Sequence, residues 1–532
     1  MKTLAPRRAR TLEDFAHYGF DGGINIQDSP QEIPDKDLTQ AVNVYLETNG
    51  DVSIRRGMVA KGPLIAGVGK GIYRFYQEVV AGAPASVAVT VAHIGDSLYN
   101  ADTGALISTL GGMGTGSLPM SFARVFDPQR AGGTDILIIC TGVGGPYAYD
   151  GATFYTFNST GTTITGARWC QLVSGVLFFS GIPGQPNLVA GSALGVPESL
   201  PGYATFAMSY PVTGLGTIGV GLQTNLVVGM QQGLTLITGV NPLTYVEQEI
   251  PDEDGVVSGR SMVTVDGILY FLGEYAYYRY DGAQFTEISR KVRPWFRNDP
   301  LSQDYAMNGV RSTSWAYYYA RRIYLFYSSN NLNGPPNVGL VYDLITGGWT
   351  IYAGVALNGM ALVNAPGDPD PSTCVVIDAS KGQQYTFDVY ADAKFNISDA
   401  GAVVAASFQS KYFKIGDFGA KKTLLRLMIE TIFYGQLEFV AVNILADYST
   451  TPTLLPLTLA PPFASQFDSA IFDSSTFAGT NTGYQDTRFD VNMQAEAFSF
   501  GLQAPSPLST SVASQPWKVM GFTGRISQQP KT

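Results

Sequence analysis

Between Val256 and Phe296 the chain reads VVSGRSMVTVDGILYFLGEYAYYRYDGAQFTEISRKVRPWF, and its apolar positions fall into four short runs. The pattern predicts strands at Ser261–Val265, Ile268–Leu272, Tyr275–Tyr280 and Phe285–Ser289. The intervening pairs are Asp266-Gly267, Gly273-Glu274 and Asp281-Gly282. Asp and Gly tolerate the positive φ of tight hairpin turns, so Asp-Gly between β-branched or aromatic runs signals a hairpin. Four antiparallel strands in about 40 residues is the size of one propeller blade. A β-meander inside a sandwich would carry the same local signal.

The theme recurs from about Lys70 to Asp392. An aromatic-bearing strand, an Asp turn with glycine and a second strand appear in Ser97–Thr109, Ala148–Phe157, Tyr278–Ser289 and Leu340–Tyr352. Trp169–Gly181 and Ile218–Gly239 also alternate or run apolar. Roughly six such units can be counted, an ordinary blade number. WD40 dipeptides and sialidase-type Asp boxes are missing, and Gly347-Gly348 stands in the wrong place for a kelch repeat.

The theme stops around Ala391–Ala405. Beyond it, Ser410–Tyr448 alternates as two or three long strands, Gln466–Phe477 carries a near-repeat of Phe-Asp-Ser, and Trp517–Ser527 can supply a last strand. Before it, Met1–Leu12 reads as a basic arm without period. In the turn-rich stretch that follows, Asp35 is placed to cap a short helix through Ala41. Thr48-Asn49-Gly50 then joins VNVYLE to DVSIRR as a hairpin. An isolated hairpin is marginal, so Asn43–Arg56 is expected to complete a sheet elsewhere. The expected fold is all-β: an arm at 1–18, an extended segment and hairpin at 19–66, a propeller of about six blades at 67–395, and a sandwich-like platform at 396–532. The 19–66 segment is a candidate contributor to that platform.

Composition narrows the function. Of 532 residues, 45% are hydrophobic, which suffices for large cores, while 14% are charged, against about 25% in a typical soluble domain. So sparse a charge suggests surface covered by copies of the chain or by partners. The net charge is −10, and the one basic cluster is Arg7, Arg8 and Arg10; gripping nucleic acid through its phosphates needs a basic face. Cys140, Cys170 and Cys374 are far apart and odd in number, so they are expected as small buried strand residues rather than disulfides. The start MKTLAPRRARTLEDF has no apolar core after its basic residues, so no signal peptide is read and folding in a cytoplasm is expected. Leu424–Leu445 comes nearest to membrane-spanning length but is interrupted by Arg426, Glu430 and Glu438.

Candidate chemistry is thin. The two histidines, His17 and His93, offer little for a nucleophile–base pair. GLGTIG at Gly214–Gly219 matches a dinucleotide fingerprint, but strand-like VGLQTNLVVG follows it where a helix is required. Asp252, Glu253 and Asp254 lack the alternation of a calcium loop and read as an inter-blade loop; Asp368 and Asp370 read as a turn. Asp281 and its counterparts hold hairpins. No catalytic, cofactor-binding or metal residue is assigned, and no cofactor is expected. The carboxylates and 30 tyrosines keep a carbohydrate-binding or carbohydrate-active propeller open as the alternative.

The stretch GGINIQDSPQEIPDKDLTQAVNVYLETNGDVSIRRG, Gly22–Gly57, resembles the opening of a family of bacteriophage tail proteins. The shared features are a paired glycine, an "IPD" start, an "NVY" strand, an Asn-Gly hairpin and a closing Arg-Arg-Gly. The likeness extends to Leu177–Pro201 and Phe271–Phe296. The family includes tail nozzle proteins of short-tailed phages, β-propellers with extra β-domains that form a ring. The resemblance implies a structural virion protein rather than an enzyme, assembled in the host cytoplasm. It also implies a hexameric homo-oligomeric ring with a tail adaptor and fibres as partners, no stable membrane insertion, and DNA passing through without specific binding. A host-receptor-binding tail protein is a further possibility. A basic bore would trap sliding DNA. The bore is therefore expected to be acidic or neutral, with Arg7, Arg8 and Arg10 turned toward neighbouring proteins. Asn330–Asn337 is a candidate gate or contact loop.

Overall fold

A computed structural model describes residues 11–77, 88–109, 119–130, 133–221, 224–297, 305–329, 334–364, 372–391, 396–415, 420–434, 438–459, 483–507 and 514–528. The described chain is almost wholly β and divides into two compact units. One comprises Met1–Val59, Val341–Gly354 and Asp388–Thr532; the other comprises Ala60–Leu340 and Val355–Phe387. Arg7, Arg8, Arg10, Asp368, Asp370, Gln466–Phe477 and residues 330–333 of the Asn330–Asn337 loop lie outside the described residues.

The second unit is a succession of small antiparallel sheets. Five are four-stranded and run in chain order, opening at Gly69–Tyr76, Ser121–Asp127, Trp169–Val173, Val212–Ile218 and Val263–Val265. A sixth begins with the hairpin Trp315–Tyr319 and Arg322–Tyr327. The seventh, Leu357–Leu362, Cys374–Asp378 and Gly382–Val389, takes its next strand from Gly57–Ile65, far upstream. Apolar faces pack each sheet on the next. Phe75 and Val91 meet Leu137 and Ile139, Ile136 and Ile138 meet Leu177 and Phe179, Phe178 meets Leu226 and Val228, and Val227 meets Leu269 and Phe271. Ser258 Oγ donates to Ser314 O across the fifth and sixth sheets at 2.6 Å, and Trp315 Nε1 donates to Leu357 O across the sixth and seventh at 2.8 Å. Ile377 and Val375 of the seventh then meet Ala92 and Ile94 of the first. The succession returns to its start, as a propeller does, and the opening strands of the sheets touch one another around the centre. Seven sheets result where roughly six units were countable in sequence.

The Asp turns recur as anticipated. Asp150 Oδ1 accepts from the N–H groups of Ala152 and Thr153, Asp281 Oδ1 from Ala283 and Gln284, and Asp378 Oδ1 from Ser380 and Lys381. Each carboxylate satisfies backbone donors that the tight turn would leave open. The opening example has strands at Val263–Val265, Ile268–Leu272, Tyr277–Tyr280 and Phe285–Glu287, within two residues of the predicted limits.

The first unit is a two-sheet sandwich. One sheet contains Thr11–Tyr18, Val44–Leu46, Val52–Ile54, Lys422–Phe433, Gly483–Ala495 and Trp517–Gln528. The facing sheet runs Trp349–Tyr352, Asp37–Val42, Ala406–Ser410, Phe498–Ala504, Glu438–Ala446, Thr453–Leu459. Aromatic rings close the space between them: Phe15 on Phe500 at 5.4 Å, Phe20 on Phe408 at 5.4 Å and Phe500 on Phe522 at 5.8 Å between centroids. Both ends of the chain therefore build one core.

Three local expectations change. Thr11–Tyr18 is not part of an arm but a strand paired antiparallel along Trp517–Gln528, with Asp14 forked by Arg525 at 2.6 and 2.9 Å. The residues after Asp35 form the strand Asp37–Val42 rather than a helix. It buries Leu38, Ala41 and Val42 and pairs with Ala406–Ser410, so long-range pairing overrides the local cap signal. Finally, Val341–Gly354, read as part of a blade repeat, belongs to the sandwich unit.

Candidate functional site

The Gly22–Gly57 motif folds into the sandwich as a lock between distant segments. Gly23 has φ +72°, and a Cβ there would overlap the backbone nitrogen of Trp349. Asn25, buried, donates to Asp37 Oδ2 at 2.9 Å. In the Ile-Pro-Asp step, Ile33 is buried and Pro34 O accepts from Asp37 N at 3.0 Å, a turn that launches the strand. Asn49-Gly50 closes the hairpin between Val44–Leu46 and Val52–Ile54, Gly50 having φ +92°.

Asn43 and Arg55 form the centre. Asn43 has φ +54°, a left-handed conformation that Asn accepts more readily than most residues. Its Oδ1 accepts from Arg55 Nε at 2.8 Å and from Ala353 N at 2.9 Å, and its Nδ2 donates to Ala405 O at 2.7 Å. Arg55 is 1% exposed. It donates to both carboxylate oxygens of Asp399, at 3.0 and 2.5 Å, and to Arg56 O at 2.9 Å. The Tyr352 ring lies 3.8 Å below its guanidinium. Burial opposes the charge, but Tyr352 and Asp399 outweigh it and raise the Arg55 pKa above an ordinary arginine's. Tyr45 OH donates to Asp388 Oδ1 at 3.0 Å. The hydrogen bonds of this centre join residues 43–57, 353, 388 and 399–405, with the Tyr352 ring stacked beneath.

The other singled-out residues do not converge. His17 packs its ring on Phe20 and Phe413, at 4.9 and 4.6 Å, and burial lowers its pKa to about 4. His93 lies in the first propeller sheet, and burial lowers its pKa to about 3. Gly214 and Gly216 lie in the strand Val212–Ile218, and a Cβ at Gly214 would overlap Gly259 Cα; these glycines serve close packing. Asp254 accepts from Glu274 N at 2.6 Å and Tyr275 N at 3.4 Å, while Asp252 accepts from Asp254 N at 3.0 Å. Cys140, Cys170 and Cys374 are buried thiols in strands, and burial raises Cys140 well above the usual range. No group of three His, Cys, Asp or Glu side chains among the described residues is arranged to hold a metal. No described helix is long and apolar enough to cross a membrane.

The burial of three charged residues was not legible in the sequence. Glu438 is 2% exposed, accepts from Gln515 N at 2.7 Å through Oε2, and is raised by burial to about 8. Arg168 and Arg260 are largely buried cations without carboxylate partners among the described residues. Their burial depends on which sheets meet, which no local pattern encodes.

No family model matches the chain, and no curated protein matches it. Among solved structures it is similar to the computationally designed Ika8 protein, with 9% identity over 63% of this chain and 100% of that one and a TM-score of 0.36. It is also similar to the exo-β-1,3-galactanase of Phanerochaete chrysosporium, with 9% identity over 76% of this chain and 100% of that one and a TM-score of 0.27. Likeness at this level carries no argument about activity.

Proposed function

We propose that the chain is a structural subunit of a short-tailed phage tail, a nozzle or hub that assembles as a homo-oligomeric ring around the DNA path. One observation supports this above others: the motif that carries the resemblance is spent on architecture, through the Asn43–Arg55–Asp399–Tyr352 centre. A sequence signature consumed by a fold lock fits a protein whose work is geometric. In this reading the ring is sixfold, forms in the host cytoplasm, and meets a tail adaptor and fibres in the virion. DNA passes through a bore of acidic and neutral residues without being held. The long sheet of the sandwich offers an exposed face of mixed sign for neighbours. It carries the Asp14–Arg525 pair, Arg426 with Asp490 at 3.9 Å, and Tyr18 and Tyr484 hydroxyls both on Glu430.

Mass photometry and electron microscopy of the purified full chain test the reading. A closed ring is expected; a monomer throughout the micromolar range would overturn it. Turnover of chromogenic glycosides, abolished by replacing one carboxylate, would sink the structural role in favour of an enzyme. A continuous Lys/Arg-lined channel at the narrowest point of the ring would refute the expected bore.

A further inference from the structure

Where the opening strands of the propeller sheets begin, the unit holds a cavity of about 720 Å³. Its walls come from the third sheet (Arg168, Trp169), the fourth (Val212, Thr213), the approach to the fifth (Asp254 to Ser258) and Ser312 before the sixth. Arg168 is the group that needs explaining. Its stem is clamped: a Cβ on Gly181 would stand 2.9 Å from its Cβ, and one on Gly142 3.4 Å from its Cγ. Its guanidinium lies 4.8 Å from the Trp169 ring. Among the described residues it has no carboxylate partner, and its buried Nε has no acceptor. Burial lowers its pKa. Thr213, which lines the same cavity, has a buried Oγ1 without a partner among the described residues.

The cavity's own acids do not fill this role. Asp254 is engaged by two backbone N–H groups, Glu274 pairs with Arg311 at 3.5 Å, and Glu253 is exposed to solvent. A second cation reinforces the field. Arg260 donates to Asn358 Oδ1 and O at 2.8 and 2.7 Å and meets no carboxylate among the described residues; burial and then the Arg168 charge lower it to about 9. A desolvated cation without a counter-charge is unfavourable, and an anion placed against it removes that penalty.

We propose that this cavity binds a carboxylate-bearing, hydroxyl-rich ligand of the sugar-acid class, with the carboxylate on Arg168. A guanidinium fork matches a carboxylate in two parallel hydrogen bonds. Gln231, Gln232 and Thr213 line the same space and bring polar groups that suit hydroxyls, while Pro183, Pro186 and the exposed Tyr275 offer apolar surface to a sugar ring. The volume lies in the range of small-molecule sites. This inference stands independently of the tail assignment.

Isothermal titration of the full chain with D-glucuronate, D-galacturonate, glucose and sulfate tests it. At least one uronate is expected to bind, with glucose weaker by about tenfold or more, the order of a lost charge-assisted hydrogen bond. Arg168→Gln should abolish the uronate heat while circular dichroism and melting stay unchanged. Thr213→Val should weaken it severalfold, a second reading should Arg168→Gln fail to fold. Silence from both uronates, equal binding of glucose, or an Arg168→Gln variant that binds normally would each overturn the proposal. Sulfate binding as tightly as the uronates would overturn the sugar-acid assignment.

Discussion

Asp399→Asn tests the centre of the sandwich lock. The substitution keeps the side-chain shape and removes the charge facing Arg55. The side chains of Arg55 and Asp399 are 1% and 9% exposed, so water cannot replace the lost partner. Removing one member of a buried pair costs about 3–5 kcal/mol, because the other charge stays buried. At about 1.4 kcal/mol per tenfold, amides that exchange through opening of this unit should lose between about a hundredfold and a few thousandfold in protection. Hydrogen-exchange mass spectrometry over residues 37–57 and 517–528 reads this directly, whereas bulk unfolding would mix the two units. The loss should persist at high salt, since a buried pair is screened little. Arg55→Met in the Asp399→Leu background should cost less than the two single changes together. A drop in protection smaller than about threefold, or strictly additive single and double variants, would refute the argument.

Four further outcomes follow from the same geometry. Glu438 has its pKa raised from 4.5 to about 8 by burial, so the stability it contributes is fully present below pH 4.5 and is lost as pH rises through 8. By linkage this amounts to about 3 kcal/mol between pH 5 and pH 8, an order-of-magnitude figure, and Glu438→Gln should flatten that slope in pH-dependent melts. Gly23→Ala should destabilise the sandwich by about 3 kcal/mol or more through left-handed strain and overlap with the Trp349 backbone, seen as loss of soluble expression or a large fall in melting temperature. Gly214→Ala, which would overlap Gly259, should destabilise the propeller unit by about 1–3 kcal/mol, visible as exchange confined to Val212–Ile218 and its neighbours. The three buried thiols should react with a thiol reagent only in denaturant; rapid labelling of any one in the folded protein would contradict its burial.

Local chemistry made much of the fold legible. The Asp turns and the alternating runs around Ile268–Leu272 announce strands because hairpin geometry is decided within a few residues. Asn49-Gly50 announces its hairpin for the same reason. Legibility ends where pairing is long-range. Asp37–Val42 carries a helix-start signal, yet Ala406–Ser410 recruits it into a sheet. Trp349–Tyr352 reads like a blade strand, yet Val42 pairs with Ile351 in the sandwich. Thr11–Tyr18 shows no period that separates it from a disordered terminus, and only Trp517–Gln528 gives it a place. Charge states were less accessible still. Arg55 looks like any surface arginine until Asp399 and Tyr352 close over it, and the isolation of Arg168 emerges only when the sheets are arranged.

The upstream strand Gly57–Ile65, which pairs into the seventh propeller sheet, sets a schedule for synthesis. A ribosome releases it long before Leu357–Val389 exists, and Thr11–Tyr18 must wait still longer for Trp517–Gln528. Until its partner strand is made, each early segment leaves the exit tunnel with open hydrogen-bonding edges, the state most exposed to misassociation with other nascent chains. A stop codon before Trp517 would remove the strand to which both the Thr11–Tyr18 edge and the Val52–Ile54 hairpin attach. Misassociation is therefore concentrated in the interval of elongation between an early edge and its late partner.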